Sequence, residues 1–176
     1  MAPKKIFAIC GSTKQRSSNL MLIELIKKLS VELFEITIYK ELALLPHFNP
    51  DLDTEIAPPA VANFRNLLSR ADGVLICTPE YAMGVPGTLK NALDWTVSSM
   101  DLSGKPVALI TASLNGEMGH QALLATLNVI ECKLSTATQL RIPFIASKFG
   151  QEGELLNEVT LTEVKELIAA FDELTN

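Results

Sequence analysis

Short apolar runs alternate along this chain with longer segments of helical periodicity, and this alternation constrains the fold more than any other feature. The apolar runs have the length and the β-branched content of buried strands. They lie at residues 5–10, 33–39, 73–77, 105–112 and 137–145. The helical segments lie at residues 20–30, 60–71, 88–98, 121–131 and 160–174. Five strands that alternate with five helices predict an α/β fold, with a parallel sheet, right-handed crossovers and helices on both faces.

The composition is that of an ordinary globular domain. Hydrophobic residues make up 48% of the 176 positions, so the chain can bury a core and is not a disordered protein. No repeat or linker interrupts the chain, and we expect residues 1–176 to form a single domain. Lys plus Arg is 15 and Asp plus Glu is 20, and the resulting net charge of −5 argues against a nucleic-acid partner. No apolar run approaches the roughly 20 residues of a spanning helix, so we expect no membrane segment.

The cysteines and histidines suggest neither a metal site nor an acid–base catalyst. Cys10, Cys77 and Cys132 are an odd number without a Cys-x-x-Cys pair, which fits neither a disulfide framework nor a zinc site. Each lies beside apolar residues, so we interpret all three as reduced, buried thiols and expect a cytoplasmic location. His47 and His120 have no ligand partner nearby in the sequence, and we expect them to be structural or exposed.

Three loops follow predicted strands at the edge of the sheet where ligands bind in folds of this class. Open parallel sheets bind ligands beyond the carboxyl ends of their strands. The loops at residues 11–19, 78–87 and 113–119 all leave strands at that edge and are rich in Gly, Pro and hydroxyl side chains. We therefore expect function to reside in these three segments.

The first loop has the composition of an anion site. Ser12, Ser17 and Ser18 offer hydroxyl donors, Lys14 and Arg16 add positive charge, and the loop leads into a helix whose N-terminus favours an anion. Neither G-x-G-x-x-G nor G-x-x-x-x-G-K-[ST] occurs here, which argues against a dinucleotide Rossmann turn and a P-loop NTPase. The alternative is a solvated loop in which a serine only caps the helix.

The second loop is stiffened by prolines and could contact a flat ring. Pro79 and Pro86 restrict its backbone, Tyr81 could flank a ring, and Glu80 could supply polar contacts. The alternative is a rigid connection between a strand and a helix, in which Tyr81 and Trp95 serve only as packing residues.

Together these loops resemble the NAD(P)H-dependent FMN reductases, a flavodoxin-like family that includes quinone, azo and chromate reductases. The family's first motif is G-S-x-R-x-x-S-x-N, and residues 11–19 read GSTKQRSSN. Its second motif is P-E-Y-N-x-S-x-P-G-x-L-K-N-A-[IL]-D-W, and residues 79–95 read PEYAMGVPGTLKNALDW. Residues 46–52 are similar to the family's loop after the second strand, and the resemblance covers essentially the whole chain. It implies a five-stranded sheet in the order 2-1-3-4-5.

The resemblance implies that the first loop holds the phosphate of FMN. Ser12, Ser17 and Asn19 match the polar positions of the motif, and Ser18 adds a hydroxyl. Lys14 stands at the family's arginine position, where it replaces a bidentate guanidinium with a point charge.

The other two loops would contact the flavin ring. The resemblance implies that Pro79, Glu80 and Tyr81 line the ring, mostly through backbone groups. Ser113 and Gly116 would touch its other polar edge or the ribityl chain. Because the cofactor performs the hydride transfer, we expect no catalytic side chain.

Two departures from the second motif bear on the affinity for FMN. The family's Asn is Ala82 in this chain, and its Ser is Gly84. Side chains at these positions often contact the flavin, so we include Ala82 among the FMN-lining residues. We expect weaker FMN binding than in relatives that keep both side chains.

The function that the resemblance implies is reduction of FMN by NADPH or NADH, followed by transfer to a small acceptor in a ping-pong sequence. Quinones, azo and nitro compounds, chromate and free flavin are the candidate acceptors. Lys14 or Arg16 could favour NADPH by contacting its 2′-phosphate. A flavodoxin-like electron carrier and a flavin-free regulator or scaffold are the alternatives. The family implies a homodimer or homotetramer, and we expect Leu45 and Phe48 to be exposed at such an interface.

Overall fold

The computed structural model describes residues 2–176 and contains all five predicted strands and all five predicted helices. The strands are β1 (Lys4–Cys10), β2 (Phe34–Tyr39), β3 (Gly73–Thr78), β4 (Val107–Ser113) and β5 (Gln139–Pro143). The helices are α1 (Ser18–Leu29), α2 (Pro59–Ser69), α3 (Gly87–Asp94), α4 (Glu117–Val129) and α5 (Glu158–Leu174). The strands form one parallel sheet in the order β2-β1-β3-β4-β5, which confirms the expected flavodoxin-like fold.

The sheet is covered on both faces, which explains why its central strands are apolar throughout. Helices α1 and α5 pack on one face, while α2, α3 and α4 pack on the other. Alternate residues of β1 enter different cores: Ile6 and Ala8 face α1 and α5, whereas Phe7 and Ile9 face the other helices. Every residue of β3 is buried. Strands covered on both sides show such continuous runs instead of alternation.

Helix α4 differs most from its predicted boundaries. It begins at Glu117, four residues before the predicted start, and Gly116 precedes it with φ 83. Glycine tolerates this left-handed conformation because it has no Cβ. Consequently the loop after β4 is shorter than expected. None of the helices within residues 2–176 is both long and apolar enough to cross a bilayer.

The segment between β2 and α2 is more ordered than a plain loop. It contains 3₁₀ turns at Leu42–Leu44 and Pro50–Leu52. Near its end, the Arg65 guanidinium donates to the Asp53 carboxylate at 2.7 Å. The hydrogen bond from Arg65 lowers the pKa of Asp53 below its ordinary value. This ion pair fastens the segment to α2.

The prediction that Leu45 and Phe48 are exposed is wrong. Leu45 is buried in the core beneath α2 and α3, and Phe48 packs edge-on against Trp95 with ring centroids 5.0 Å apart. The carbonyl oxygen of Pro46 accepts hydrogen bonds from Trp95 Nε1 at 2.8 Å and from Asn91 Nδ2 at 2.9 Å. These bonds hold the segment against α3 and turn both side chains inward. The large apolar residues that are exposed in this segment are Leu44, Leu52 and Ile56.

Candidate functional site

The loops that follow β1, β3, β4 and β5 enclose a cleft of about 330 Å³. A volume of this size falls at the lower end of the range for small-molecule sites. The predicted FMN-binding residues that line it are Ser12, Lys14, Ser17, Ser18, Asn19, Pro79, Tyr81 and Ser113. The fold therefore brings together two motifs that are about 60 residues apart in the sequence, because β1 and β3 are neighbours in the sheet.

The loop after β1 combines a capped helix with free positive charge. Ser17 is the N-cap of α1, and its Oγ accepts the backbone N–H of Asn19 at 3.2 Å. Ser12 Oγ accepts the N–H of Lys14 at 3.3 Å. Lys14 and Arg16 are exposed, and within residues 2–176 neither forms an ion pair. Ser17 therefore caps α1, and the two cations remain available for an anion.

Asn19 has a different environment from the serines around it. Its side chain is buried, with Nδ2 donating to the carbonyl of Ala112 at 3.1 Å. Its Oδ1 accepts the thiol of Cys77 at 3.3 Å. The side chain thus joins the start of α1 to β3 and β4, so its polar atoms are already paired inside the fold. Its role as a phosphate ligand stays a prediction.

The loop after β3 is folded into a tight, strained turn. Tyr81 and Gly84 exchange both backbone hydrogen bonds, each at 2.9 Å. The two residues between them, Ala82 and Met83, have φ values of 49° and 60°. Two successive left-handed residues are typical of a type I′ turn, which favours Asn, Asp and Gly. For other L residues this backbone costs roughly 1–2 kcal/mol each.

The sequence left open whether Tyr81 and Trp95 contact a ligand or serve only as packing residues, and the structure gives a different answer for each. Tyr81 is 56% exposed beside the cleft, so it is available to a ligand. Trp95 is fully buried, so it is a packing residue. Ala82 follows Tyr81 at the tip of the turn and does not line the cleft.

Glu80 connects the loop after β3 to the loop after β4. Its carboxylate accepts the backbone N–H of Gly119 at 2.6 Å, and its own N–H donates to Ser113 Oγ at 3.1 Å. Because this bond places the carboxylate of Glu80 beside the first turn of α4, its negative charge also interacts favourably with the helix dipole. Neither Glu80 nor Gly116 lines the cleft. Glu80 therefore holds the loops in position, and its N–H already has a partner.

The histidines and thiols lie outside the cleft. His120 Nδ1 lies 2.9 Å from Thr111 Oγ1. Burial lowers the pKa of His120, as does the positive charge of Arg141, while a hydrogen bond with Gln139 opposes the shift. Cys10 and Cys77 are buried free thiols, as expected, and burial raises the pKa of each. Cys132 is only half-buried, which corrects the prediction for that residue.

The segment after β5 also contributes to the cleft, which no sequence motif predicted. Residues 144–147 line it, beginning with Phe144, whose φ is 54° and whose side chain is 60% exposed. Leu114, from the loop after β4, lies beside this segment, and its carbonyl accepts the N–H of Phe144 at 3.2 Å. Its position alone could have indicated this role, because the segment follows the carboxyl end of a strand, where ligands bind in open parallel sheets.

Comparison with known proteins shows the family of this chain. The family model described as NADPH-dependent FMN reductase matches residues 4–151. The chain belongs to this family. The expected enzyme class, an NAD(P)H-dependent flavin oxidoreductase with FMN as cofactor, is thereby confirmed.

Individual relatives extend over nearly the whole chain. The quinone reductase of Escherichia coli K12 is 30% identical over 176 residues, covering 96% of this chain and 94% of the relative. The NADH:(hydroxy)cinnamate reductase subunit CrdA of Vibrio ruber is 30% identical and covers 93% of this chain and 83% of the relative. Among solved structures, the flavoenzyme FerB of Paracoccus denitrificans shares the fold with a TM-score of 0.84, at 24% identity and with 98% and 97% coverage.

The residues that line the cleft include partners for both parts of FMN. FMN has an anionic phosphate at one end and a flat, largely apolar ring at the other. Lys14, Arg16 and the N-terminus of α1 supply positive charge to the lining of the cleft. Tyr81 and Leu114 supply exposed apolar surface elsewhere along it.

Proposed function

We propose that this reductase transfers electrons from NADPH or NADH to quinones, with FMN held in the cleft between the loops after β1 and β3. One observation carries the proposal: two loops line the same cleft. The first is cationic and caps α1, and the second contains the turn that bears Tyr81. The E. coli relative that shares 30% of its residues with this chain is a quinone reductase. The overall reaction would convert NAD(P)H, a proton and a quinone into NAD(P)⁺ and a hydroquinone.

In this proposal the protein binds and orients, and residues 1–176 form one FMN-binding domain. Ser12, Ser17 and Ser18 contact the phosphate together with the amides of α1, and Lys14 neutralises its charge. When bound, FMN supplies the chemistry, which is two-electron transfer from the nicotinamide nucleotide to the acceptor. The nucleotide and the acceptor would use one exposed face of the ring in turn, which predicts ping-pong kinetics.

The part of the site that would hold the flavin ring, called the ring end below, is built from more than one loop. Pro79 and Tyr81 would line the ring from the loop after β3, and Ser113 from the loop after β4. Ala82 and Gly116 lie outside the cleft and would contact only a part of the ring that extends beyond it. The bonds from Glu80 to Ser113 and Gly119 support this arrangement because they hold the two loops together.

Arg16 supports a preference for NADPH. It lines the cleft and also a wider groove of about 1140 Å³ between α1 and residues 149–155. A nucleotide that leaves the cleft along this groove would bring a 2′-phosphate within reach of Arg16 or Lys14. We expect kcat/KM to be higher for NADPH than for NADH, and Arg16→Gln to reduce the difference. Equal kcat/KM values in the unmodified enzyme would contradict this preference.

We further propose a homodimer or homotetramer in the cytoplasm. The exposed apolar side chains of Leu44, Leu52 and Ile56 support an interface on the segment between β2 and α2. The free thiols of Cys10 and Cys77 support a reducing compartment. Light scattering that gives a monomer mass at working concentration would contradict the proposed assembly.

The deciding experiment is anaerobic. The purified protein is saturated with FMN, NADPH is added, and the visible absorption of the flavin is followed before and after addition of 1,4-naphthoquinone. We expect rapid bleaching in proportion to protein and rapid recovery with the quinone. Flavin that stays oxidised with both nucleotides would favour the electron-carrier alternative, and failure to bind FMN would favour the regulator or scaffold.

A further inference from the structure

Phe144 has an unusual backbone for a bulky residue. It directly follows β5, and its φ of 54° and ψ of 35° lie in the left-handed region. Its side chain is 60% exposed, although phenylalanine is usually buried. Backbone strain in an exposed bulky residue persists only where the surrounding structure enforces it, and such residues cluster at functional sites.

Three hydrogen bonds hold the backbone of Phe144 in place. Its N–H donates to the carbonyl of Leu114 at 3.2 Å. Its carbonyl accepts the N–H of Ser147 at 3.0 Å and the hydroxyl of Ser147 at 2.9 Å. Both backbone groups are therefore paired, and the loops after β4 and β5 are joined at this residue. The aromatic ring of Phe144 therefore lines the cleft from a backbone whose position is fixed by hydrogen bonds.

The residues that line the cleft around Phe144 differ chemically from those of the loop after β1. Leu114 is 73% exposed and lies beside Phe144, and Ile145 and Ala146 continue the lining. None of these side chains carries charge, whereas the lining residues Lys14 and Arg16 from the loop after β1 are cationic. An exposed aliphatic and an exposed aromatic side chain together form a surface for a flat apolar group, because apolar burial and ring contacts both favour such binding.

We propose that Phe144 and Leu114 form the surface that binds the aromatic ring of the electron acceptor, and that this surface gives quinones an advantage over acceptors without such a ring. The inference rests on the proposed function and deepens it by assigning two residues to acceptor recognition. Phe144 is a specificity-determining residue in this assignment and takes no part in electron or proton transfer.

The test compares two acceptors in the FMN-loaded enzyme: 1,4-naphthoquinone, which is flat and aromatic, and ferricyanide, which has no ring. In Phe144→Ala the ratio of kcat/KM for naphthoquinone to kcat/KM for ferricyanide should fall about tenfold. Phe144→Tyr keeps a ring and should stay within about threefold of the unmodified ratio.

Met100→Ala is the matched control. Met100 has the same left-handed backbone, with φ 55, and is 62% exposed, but it lies outside the cleft. It should leave the ratio unchanged. Leu114→Ala tests the same surface through a residue with ordinary backbone, so the proposal remains testable if Phe144→Ala does not fold.

A second readout does not depend on turnover. Calorimetric titration of naphthoquinone into the oxidised, FMN-loaded protein should show a Kd about tenfold higher in Phe144→Ala and unchanged in Met100→Ala. An unchanged quinone Kd would overturn the proposal. So would weaker FMN binding in Phe144→Ala, because the ring would then contact the cofactor, or an altered mass by light scattering, because it would then be an assembly contact.

These outcomes are distinct from failure of the proposed function. If the unmodified protein binds no FMN, or NADPH and NADH both leave the flavin oxidised, the reductase proposal fails and this inference falls with it. If the unmodified enzyme is active and Phe144→Ala changes both acceptors equally, only the inference about Phe144 fails.

Discussion

The two motif loops contribute to the same cleft by different physical means. The loop after β1 is stabilised by bonds within itself, such as those of Ser12 and Ser17 to nearby amides, and its cations are exposed. The loop after β3 contains two successive left-handed residues and is held by Glu80, which bonds to Ser113 and to the start of α4. A charged phosphate can be held by local electrostatics, whereas a flat ring needs a surface whose shape is maintained by distant parts of the chain.

Riboflavin separates these two contributions because it has the ring of FMN but lacks the phosphate. The double substitution Lys14→Ala and Arg16→Ala should weaken FMN binding roughly 30-fold, about 2 kcal/mol, since it removes two charged partners of the phosphate. Riboflavin binding should be unchanged. Flavin fluorescence titrations at low and high salt provide the measurement, and the effect should shrink as salt rises. Equal losses for both ligands would mean that these cations do not act on the phosphate.

Gly119→Val should instead disturb the loops that are proposed to hold the flavin ring. A Cβ at this position would lie 3.1 Å from Cβ and Cγ of Glu80 and from the carbonyl oxygen of Gly84. Overpacking of this kind costs roughly 1–3 kcal/mol, and we expect a loss of that size in the free energy of unfolding. FMN and riboflavin should lose affinity equally.

Gly87→Val is the control for that substitution, because a Cβ at Gly87 meets no atom within 4 Å. Urea unfolding of the FMN-free chain should give nearly the unmodified stability for this variant. If the two glycine variants behave alike, contact with Glu80 is not what maintains the ring end.

Ala82→Gly should stabilise the protein, because glycine adopts the left-handed backbone at position 82 without strain. The expected gain in the free energy of unfolding is about 1 kcal/mol. Ala62→Gly in the interior of α2 is the matched control and should destabilise by about 0.5–1 kcal/mol. The same chemical change should thus have opposite signs at two exposed positions, and loss of stability at position 82 would argue against strain in the turn.

Ala82→Asn should give a similar relief and also bring back the side chain of the family motif. Asn tolerates the left-handed region better than other residues with a Cβ. Calorimetry should show tighter FMN binding than in the unmodified chain. Sub-micromolar FMN affinity in the unmodified chain would contradict the expectation that Ala82 and Gly84 weaken binding.

The smallest effect concerns His120, which lies next to Gly119 on α4. Its pKa is lowered in the folded chain by burial, so the folded chain binds fewer protons than the unfolded chain near the unperturbed pKa of about 6.5. Stability contributed at this site is complete above about pH 7.5 and declines as pH falls through that region. Unfolding measurements across this range should show the decline, and His120→Gln should flatten it.

Much of the fold follows from local patterns. The uninterrupted burial of β3 corresponds to the apolar run at residues 73–77, and the serines before α1 correspond to an observed helix cap. The position of Leu45 did not follow, because its burial depends on bonds between Pro46 and the side chains of Asn91 and Trp95, about 45 residues away. The composition of the segment between β2 and α2 is typical of an exposed loop, so it predicts exposure for Leu45.

Local patterns in the chain are enough to predict the alternation of strands and helices, the faces they bury, and the two motifs whose resemblance points to FMN. These properties depend on residues that are close together in the chain, where periodicity and turn chemistry act directly. Two features of the site arise from long-range packing instead: the carboxylate of Glu80 meets Gly119, 39 residues later, and Phe144 enters the cleft with a left-handed backbone. Both depend on which loops the order of strands places side by side, and no local pattern carries that information.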